Sequence, residues 1–269
     1  MTKVFLDYDQ AALDAQYEQR AWVPHADDII RRYAAASDAV RRRLSPAEHR
    51  YGEREREALD LYGDPKARTM FVFVHGGAWK RQSKREQGFA AEPIVRAGAS
   101  FAALGFDLLP TVTLAEMAGQ VRRGIEWLKE SFAPPRLVLC GHSSGGHLAA
   151  CALTRLPFID RALVISGIYD LLPVRLSSRN DYVRLDEHLE HEYSPIRHLE
   201  AIRCPVTVAW GEHEAPEFAR QSRELAAALQ ANGKLGGTIE ARGLNHFEII
   251  ETLADRGSPL GRAAIAMLR

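Results

Sequence analysis

Cysteine is scarce in this sequence, whose 269 residues include only Cys140, Cys151 and Cys204. An odd number of cysteines without CxxC spacing does not suit a disulfide framework and is typical of a reducing compartment. No apolar stretch reaches the roughly 18 residues that a membrane span needs. The first ten residues, MTKVFLDYDQ, lack the apolar segment of a signal peptide. We therefore expect a cytoplasmic protein without a membrane partner.

An excess of charge of either sign is also absent. Lys+Arg and Asp+Glu each number 35, so the formal net charge is zero. Without a basic excess the chain has no electrostatic footprint for a phosphate backbone, and we expect no nucleic-acid partner. The length lies within the range of one α/β domain, so we expect a single domain over residues 1–269. The sequence leaves the oligomeric state open, and a homodimer is compatible with it.

Apolar runs and helical patterns alternate along most of the chain. Runs that are typical of strands cover 69–75, 100–106, 136–140, 161–165, 205–210 and 237–242. Helical patterns cover 84–97, 113–132, 144–153, 218–230 and 247–268. This alternation predicts an α/β fold with a mostly parallel central sheet that is flanked by helices.

Two segments depart from that alternation. Residues 1–48, approximately, are rich in Ala, Arg, Asp and Tyr and predict an N-terminal helical arm. Residues 169–200 are polar and rich in histidine, and they contain Pro173 and Pro195. A segment of this length is too long for an ordinary connection, so it predicts a small cap-like insertion.

A candidate nucleophile follows the third apolar run. Residues 141–145 read GHSSG, which fits the pattern G-x-S-x-G between a strand and a helix. The turn is so tight that side chains two positions away from the serine would collide, which explains the two glycines. Ser143 is central in the pattern and is the expected nucleophile. Ser144 is a rival, although it is better suited to donate its backbone N–H to an oxyanion.

A second glycine-rich turn follows the first apolar run. His75-Gly76-Gly77-Ala78-Trp79 places two adjacent glycines after a strand, where their backbone N–H groups can turn toward a substrate. A tetrahedral intermediate needs about two such donors. We expect Gly76 or Gly77 to supply one donor and Ser144 the other. The order of the motifs, HGG before the serine, matches the layout of α/β-hydrolases.

The base of such a site is a histidine near the C-terminal end, after an acid. His246 follows the sixth apolar run and is the expected general base, because a neutral imidazole suits proton transfer near pH 7. The acid that orients it is expected after the fifth run. Glu212, Glu214 and Glu217 compete there, and spacing alone does not choose among them.

A metal site is the first alternative chemistry. His188, His191 and His198 lie close together in the sequence, with glutamates between them. They lack HExxH spacing, and a strongly charged stretch is more often a solvated face. We expect no metal and no cofactor.

The motifs together resemble the arylformamidases (kynurenine formamidases) of the α/β-hydrolase fold and their bacterial esterase-like relatives. The resemblance covers nearly the whole chain. Besides the HGGAW and GHSSGGHL motifs, it includes LDAQY at 13–17, SGIYD at 166–170, PEF at 216–218 and NHF at 245–247.

This resemblance implies Glu214 as the acid, because the family's acid precedes a small residue and then Pro, Glu and Phe. It also implies a small-molecule acyl substrate, N-formyl-kynurenine, which is cleaved to kynurenine and formate. Trp79 is then a candidate to stack on the aromatic ring, and Tyr169 is a candidate for the roof of the pocket. The alternatives are a carboxylesterase acting on short-acyl esters or carbamates with the same triad, and a noncatalytic binding protein of the same fold.

Overall fold

A computed structural model describes residues 2–269, so Met1, the first residue of the expected arm, lies outside the described residues. Eight strands form one sheet. Their bounds are β1 Ala47–Arg50, β2 Ala58–Tyr62, β3 Thr69–Val74, β4 Ser100–Leu104, β5 Arg136–His142, β6 Arg161–Ile165, β7 Val206–Gly211 and β8 Leu235–Ala241.

The helices mostly lie between the strands. They are α1 Gln10–Tyr17, α2 Gln19–Trp22, α3 Ala26–Leu44, α4 Ala91–Arg96, α5 Leu114–Phe132, α6 Ser144–Leu153, α7 Leu172–Leu176, α8 Asn180–Val183, α9 Glu187–Glu192, α10 Pro216–Ala231, α11 Glu248–Glu251 and α12 Pro259–Ala266. Four 3-10 turns add Lys84–Ala90, Pro195–Arg197, Leu199–Ala201 and Thr252–Ala254.

The strand order is β1-β2-β4-β3-β5-β6-β7-β8, and all pairings from β4 to β8 are parallel. The expected α/β-hydrolase fold with a mostly parallel sheet is therefore confirmed. The six expected strands are present, but β1 and β2 were missed and pair antiparallel at one edge. β1 is largely exposed and has the sequence AEHR, so it carries no apolar pattern.

Side chains alternate between the two faces of the sheet, and both faces are buried. In β3, Met70, Val72 and Val74 pack into the core on one face, whereas Phe71 and Phe73 pack into the core on the other. This period of two, with helices over both faces, explains the nearly continuous apolar runs of the sequence. Each such side chain contributes roughly 1.5–3 kcal/mol on burial.

Residues 169–200, which we call the excursion, form α7, α8, α9 and most of two 3-10 turns between β6 and β7. This segment contacts the N-terminal arm directly. Ser178 N donates to Asp14 Oδ1 at 2.7 Å, and Gln10 Nε2 donates to the carbonyl of Leu176 at 3.0 Å. Hydrogen bonds thus join the arm to the excursion, and apolar side chains of both segments pack into one core. No helix among residues 2–269 combines the length and the apolar character needed to cross a membrane.

Candidate active site

Ser143 lies at the turn between β5 and α6, in a strained backbone conformation with φ 57° and ψ −127°. The glycines on either side are required by contact. A Cβ on Gly141 would lie 2.2 Å from the carbonyl oxygen of Gly145, and a Cβ on Gly145 would lie 2.2 Å from that of Val74. The turn therefore holds Ser143 above the sheet edge at the first turn of α6.

A chain of hydrogen-bonding atoms runs from Ser143 through His246 to Glu214. His246 Nε2 lies 2.9 Å from Ser143 Oγ, and His246 Nδ1 lies 3.3 Å from Glu214 Oε2. His246 is only 2% exposed, so water is largely excluded from these hydrogen-bonding atoms. The arrangement allows the imidazole to accept the serine proton while the carboxylate faces its second nitrogen.

The three candidate acids have separate environments. Glu212 accepts the backbone N–H of Gly243 at 2.7 Å and is exposed at the surface. Glu217 is buried and pairs with Arg220 at 2.6 Å. Of the three, the structure brings only Glu214 to His246.

Ser166 is a further polar residue of the site that the sequence reasoning did not single out as functional. Its hydroxyl donates to Glu214 Oε1, which also accepts the backbone N–H of Gly211 at 2.7 Å. Ser166 is fully buried, with a positive φ of 49°. One carboxylate oxygen is thus held by two donors, and the other faces the imidazole. The signals for it in the sequence are its position directly after β6, at the carboxyl edge of the sheet, and its place at the start of the SGIYD motif.

The expected oxyanion donors lie beside Ser143. A Cβ on Gly76 would be 3.0 Å from Ser143 Cβ, which shows how closely the two turns approach. Gly77 has φ +110° and leaves no room for a side chain, because a Cβ would be 2.2 Å from the carbonyl of Arg81. Ser144 begins α6, so its N–H has no partner within the helix. Its Oγ accepts Trp79 N at 3.1 Å and joins the two turns.

Neither expected pocket aromatic reaches the cavity. Trp79 is 1% exposed, and its indole N–H donates to His147 Nδ1 at 3.3 Å. Tyr169 is fully buried, and its hydroxyl accepts the backbone N–H of Gly167 at 3.1 Å. Both side chains point into the fold, and each has the hydrogen-bond partner that a buried polar group needs. Neither residue lines the cavity, and the expected contact of each with a substrate stays a prediction.

Three more histidines are buried around the nucleophile. Burial lowers the pKa of His75 and of His147 to about 4, so both are neutral near pH 7. Burial, together with the neighbouring His246, also lowers the pKa of His142 well below its ordinary value. His142 Nε2 lies 2.9 Å from the carbonyl oxygen of His246 and so fixes the loop that carries the imidazole.

The histidines of the excursion do not converge on a common point. His188 pairs with Glu192 at 3.4 Å, whereas His198 Nε2 contacts the carbonyl oxygen of His191 at 2.9 Å. Among residues 2–269, no three His, Cys, Asp or Glu side chains are grouped in a way that could hold a metal ion.

A cavity of about 660 Å³ opens above Ser143 and His246. Its floor is formed by these two residues with Gly77, and its sides by α3 and Phe247. Residues of the N-terminal arm and of the segment 178–182 line it as well. The volume is in the range of small-molecule sites.

Solved structures share this architecture. A structure from Silicibacter sp. tm1040, provisionally described as a thioesterase, has a TM-score of 0.85 and 30% identity over 95% of this chain and 98% of its own. Esterase B from Lactobacillus rhamnosis has a TM-score of 0.69 at 18% identity over 94% of both chains, and so shows the fold alone. The family model BD-FAE matches residues 59–156.

The fold and these neighbours define the chain as an α/β-hydrolase, an enzyme of the amidase and esterase type. Sequence relatives narrow the class further. Proteins named kynurenine formamidase from Danio rerio and Salmo salar are 33% and 32% identical to it, over 95% and 97% of both partners. The chain belongs to the kynurenine formamidase family.

Proposed function

We propose that Ser143, His246 and Glu214 form the catalytic triad of an arylformamidase. The observation that carries the proposal is the chain of contacts at 2.9 and 3.3 Å on the floor of a cavity. Its order, serine then acid then histidine along the chain, is that of the α/β-hydrolases.

The first half of the reaction forms an acyl-enzyme. Ser143 Oγ attacks the formyl carbon while its proton passes to His246 Nε2. The oxyanion accepts hydrogen bonds from backbone N–H groups of Ser144 and of Gly76 or Gly77, which lie at the nucleophile. His246 then protonates the aniline nitrogen, the C–N bond breaks, and the amine leaves. A formyl ester on Ser143 remains.

The second half releases the acyl group. Water attacks the formyl ester and gives its proton to His246, the oxyanion forms again at the same donors, and Ser143 Oγ leaves with the proton from His246. The products are formate and the free serine. Glu214 stabilises the imidazolium in both halves, while Ser166 and Gly211 hold its carboxylate in place.

The substrate proposed is N-formyl-kynurenine. Its support is the name that the full-length relatives carry, together with the aromatic residues that line the cavity. Tyr33, Tyr182 and Phe247 line this cavity and offer ring surfaces to an aryl leaving group. The formyl carbon then lies at Ser143, and the ring lies toward the N-terminal arm and the segment 178–182.

A carboxylesterase acting on short-acyl esters or carbamates is the second candidate. It uses the same triad, and it is favoured by the 30% identical structure that is provisionally described as a thioesterase. The two functions differ in the leaving atom, since an alkoxide needs less protonation by His246 than an anilide does.

Turnover of N-formyl-kynurenine and of p-nitrophenyl acetate separates these functions. We expect a higher kcat/KM for the formamide in the wild type, and no turnover above background of either substrate in Ser143→Ala. A much higher value for the ester would favour the esterase. If the wild type and the variant processed neither substrate at a measurable rate, the chain would be a binding protein of this fold.

A further inference from the structure

One part of the cavity lining, which we call the roof, consists of lining residues within 14–18, 80–81 and 178–182. It carries charged side chains, whereas the floor carries the hydrogen-bonded chain at Ser143. No sequence motif assigned a role to these charges.

Three cations of the roof have no acidic partner. No carboxylate oxygen of residues 2–269 lies within 4.0 Å of the charged nitrogens of Lys80, Arg81 or Arg179. Two other arginines of the excursion, Arg175 and Arg197, contact Glu190, whereas Arg184 is exposed and does not line the cavity. Lys80, Arg81 and Arg179, by contrast, line the cavity without an acidic partner in the described part of the chain.

Two of these cations are held in place by aromatic rings. The guanidinium of Arg179 lies 5.4 Å from the ring centroid of Tyr17 and donates to that residue's carbonyl oxygen. The ammonium of Lys80 lies 4.1 Å from the ring centroid of Tyr182. Because Arg179 is half-buried and fixed before any ligand binds, little side-chain entropy is lost when it binds an anion.

The acidic groups of the cavity are mostly engaged elsewhere. Asp14 accepts the N–H of Ser178 at 2.7 Å, and Glu86 accepts that of Ser83 at 2.8 Å. Glu18, which is exposed, has no cationic partner among the described residues. As far as the described residues go, the lining of the cavity thus contains three cations without an acidic partner and a carboxylate, Glu18, without a cationic partner.

We propose that Arg179 and Lys80 form a subsite that binds a carboxylate on the leaving group of the substrate. The proposal rests on the function proposed above and adds the residues that would recognise the carboxylate of the aryl amine leaving group. Glu18, which also lines the cavity, is the candidate partner for the ammonium group of an amino-acid side chain. The choice of substrate then depends on the residues of the roof, and bond cleavage depends on the residues of the floor.

The test compares N-formyl-kynurenine with its α-carboxamide, which has the same formyl group and ring but no negative charge. In Arg179→Met we expect kcat/KM for the carboxylate substrate to fall about tenfold to hundredfold, chiefly through KM. The value for the carboxamide should stay within about twofold. Lys80→Met should give a smaller loss of the same kind, and Arg179→Lys should recover part of the activity.

Arg184→Met is the matched control, because it removes an exposed cation of the same excursion that does not line the cavity. It should leave both substrates unaffected. A parallel loss for both substrates in Arg179→Met would show a structural role, and an unchanged carboxylate KM would exclude the subsite.

Wild-type rates report on the proposed function separately. If the wild type cleaves neither formamide but does cleave esters, the function fails while the subsite is still measurable. Phenyl acetate and 4-acetoxybenzoate then form the neutral and anionic pair, and the same selective loss is expected for the anionic ester.

Discussion

The floor and the roof of the cavity are built in different ways. On the floor, short stretches at strand ends hold each group through several contacts, and glycines stand where a Cβ would lie 2.2 Å from a backbone oxygen. In the roof, segments more than 160 residues apart are joined by individual hydrogen bonds, such as the one from Ser178 N to Asp14. Residues 172–200 contain no glycine and are strongly charged. On the proposed function, strand ends carry the chemistry, and a layer built from distant segments carries the selection of the substrate.

The largest expected effect comes from the centre of the floor. Ser143→Ala should lower kcat by about four to six orders of magnitude, because the attacking oxygen is lost. The melting temperature should change little, since alanine has the same steric demands in this strained turn. Ser144→Ala is the matched control: it removes the hydroxyl that accepts Trp79 N but keeps the backbone donor. Its kcat should stay within about tenfold of wild type. The reverse ranking would make Ser144 the nucleophile.

The buried histidines around the floor should make the stability of the protein sensitive to acid. Burial lowers the pKa of His75 and of His147 to about 4, whereas the ordinary value is 6.5. Between these values the unfolded chain binds more protons than the folded chain, so stability is complete above pH 6.5 and is lost as the pH falls toward 4. The free energy of unfolding should decrease on the order of 2 kcal/mol per histidine between pH 7 and 5.

Urea titrations at several pH values measure this decrease. His147→Gln should reduce the slope of stability against pH over that window, whatever it does to stability at pH 7. An identical slope in wild type and variant would assign the acid sensitivity to other groups.

Ser166 tests whether the floor also positions the acid. Ser166→Ala should lower kcat about tenfold to hundredfold with little change in KM, because Glu214 loses one of two donors. The rate at which a phosphonate labels Ser143 should fall in parallel, since it reports activation of the nucleophile. Ser166→Gly is the matched control for backbone strain at φ 49°. It should be as slow as alanine, whereas full activity in glycine would mean that conformation rather than the hydroxyl matters.

Local patterns predicted the floor far better than the roof. The GHSSG and HGG turns follow apolar strands, so steric rules tie sequence to geometry there. Glu214 illustrates the limit, because three glutamates share one loop and resemblance alone favoured one of them. Ser166 was missed because its partner is 48 residues away and no spacing rule joins them.

The directions of some side chains and the edge strands could not be predicted from the sequence either. Trp79 and Tyr169 turn inward, and no pattern in the sequence shows which way a side chain at a loop points. β2 places Asp60 in the middle of its strand, fully buried, where Arg41 and Lys84 compensate its charge from distant segments. Because a charged residue that is compensated by distant segments can lie within a strand, apolar periodicity does not reveal such a strand.

The smallest expected effect lies in the joint between the arm and the excursion. Asp14→Ala removes the acceptor of Ser178 N and should raise KM for N-formyl-kynurenine about threefold to tenfold, with kcat nearly unchanged. Asp9→Ala is the control, because Asp9 caps the same helix, α1, at Ala12 N without touching the excursion. Both variants should lose about 1 kcal/mol of stability. If the two raised KM equally, loosening of the helix would explain the effect; if Asp14→Ala lowered kcat instead, the roof would take part in bond cleavage and the contrast with the floor would fail.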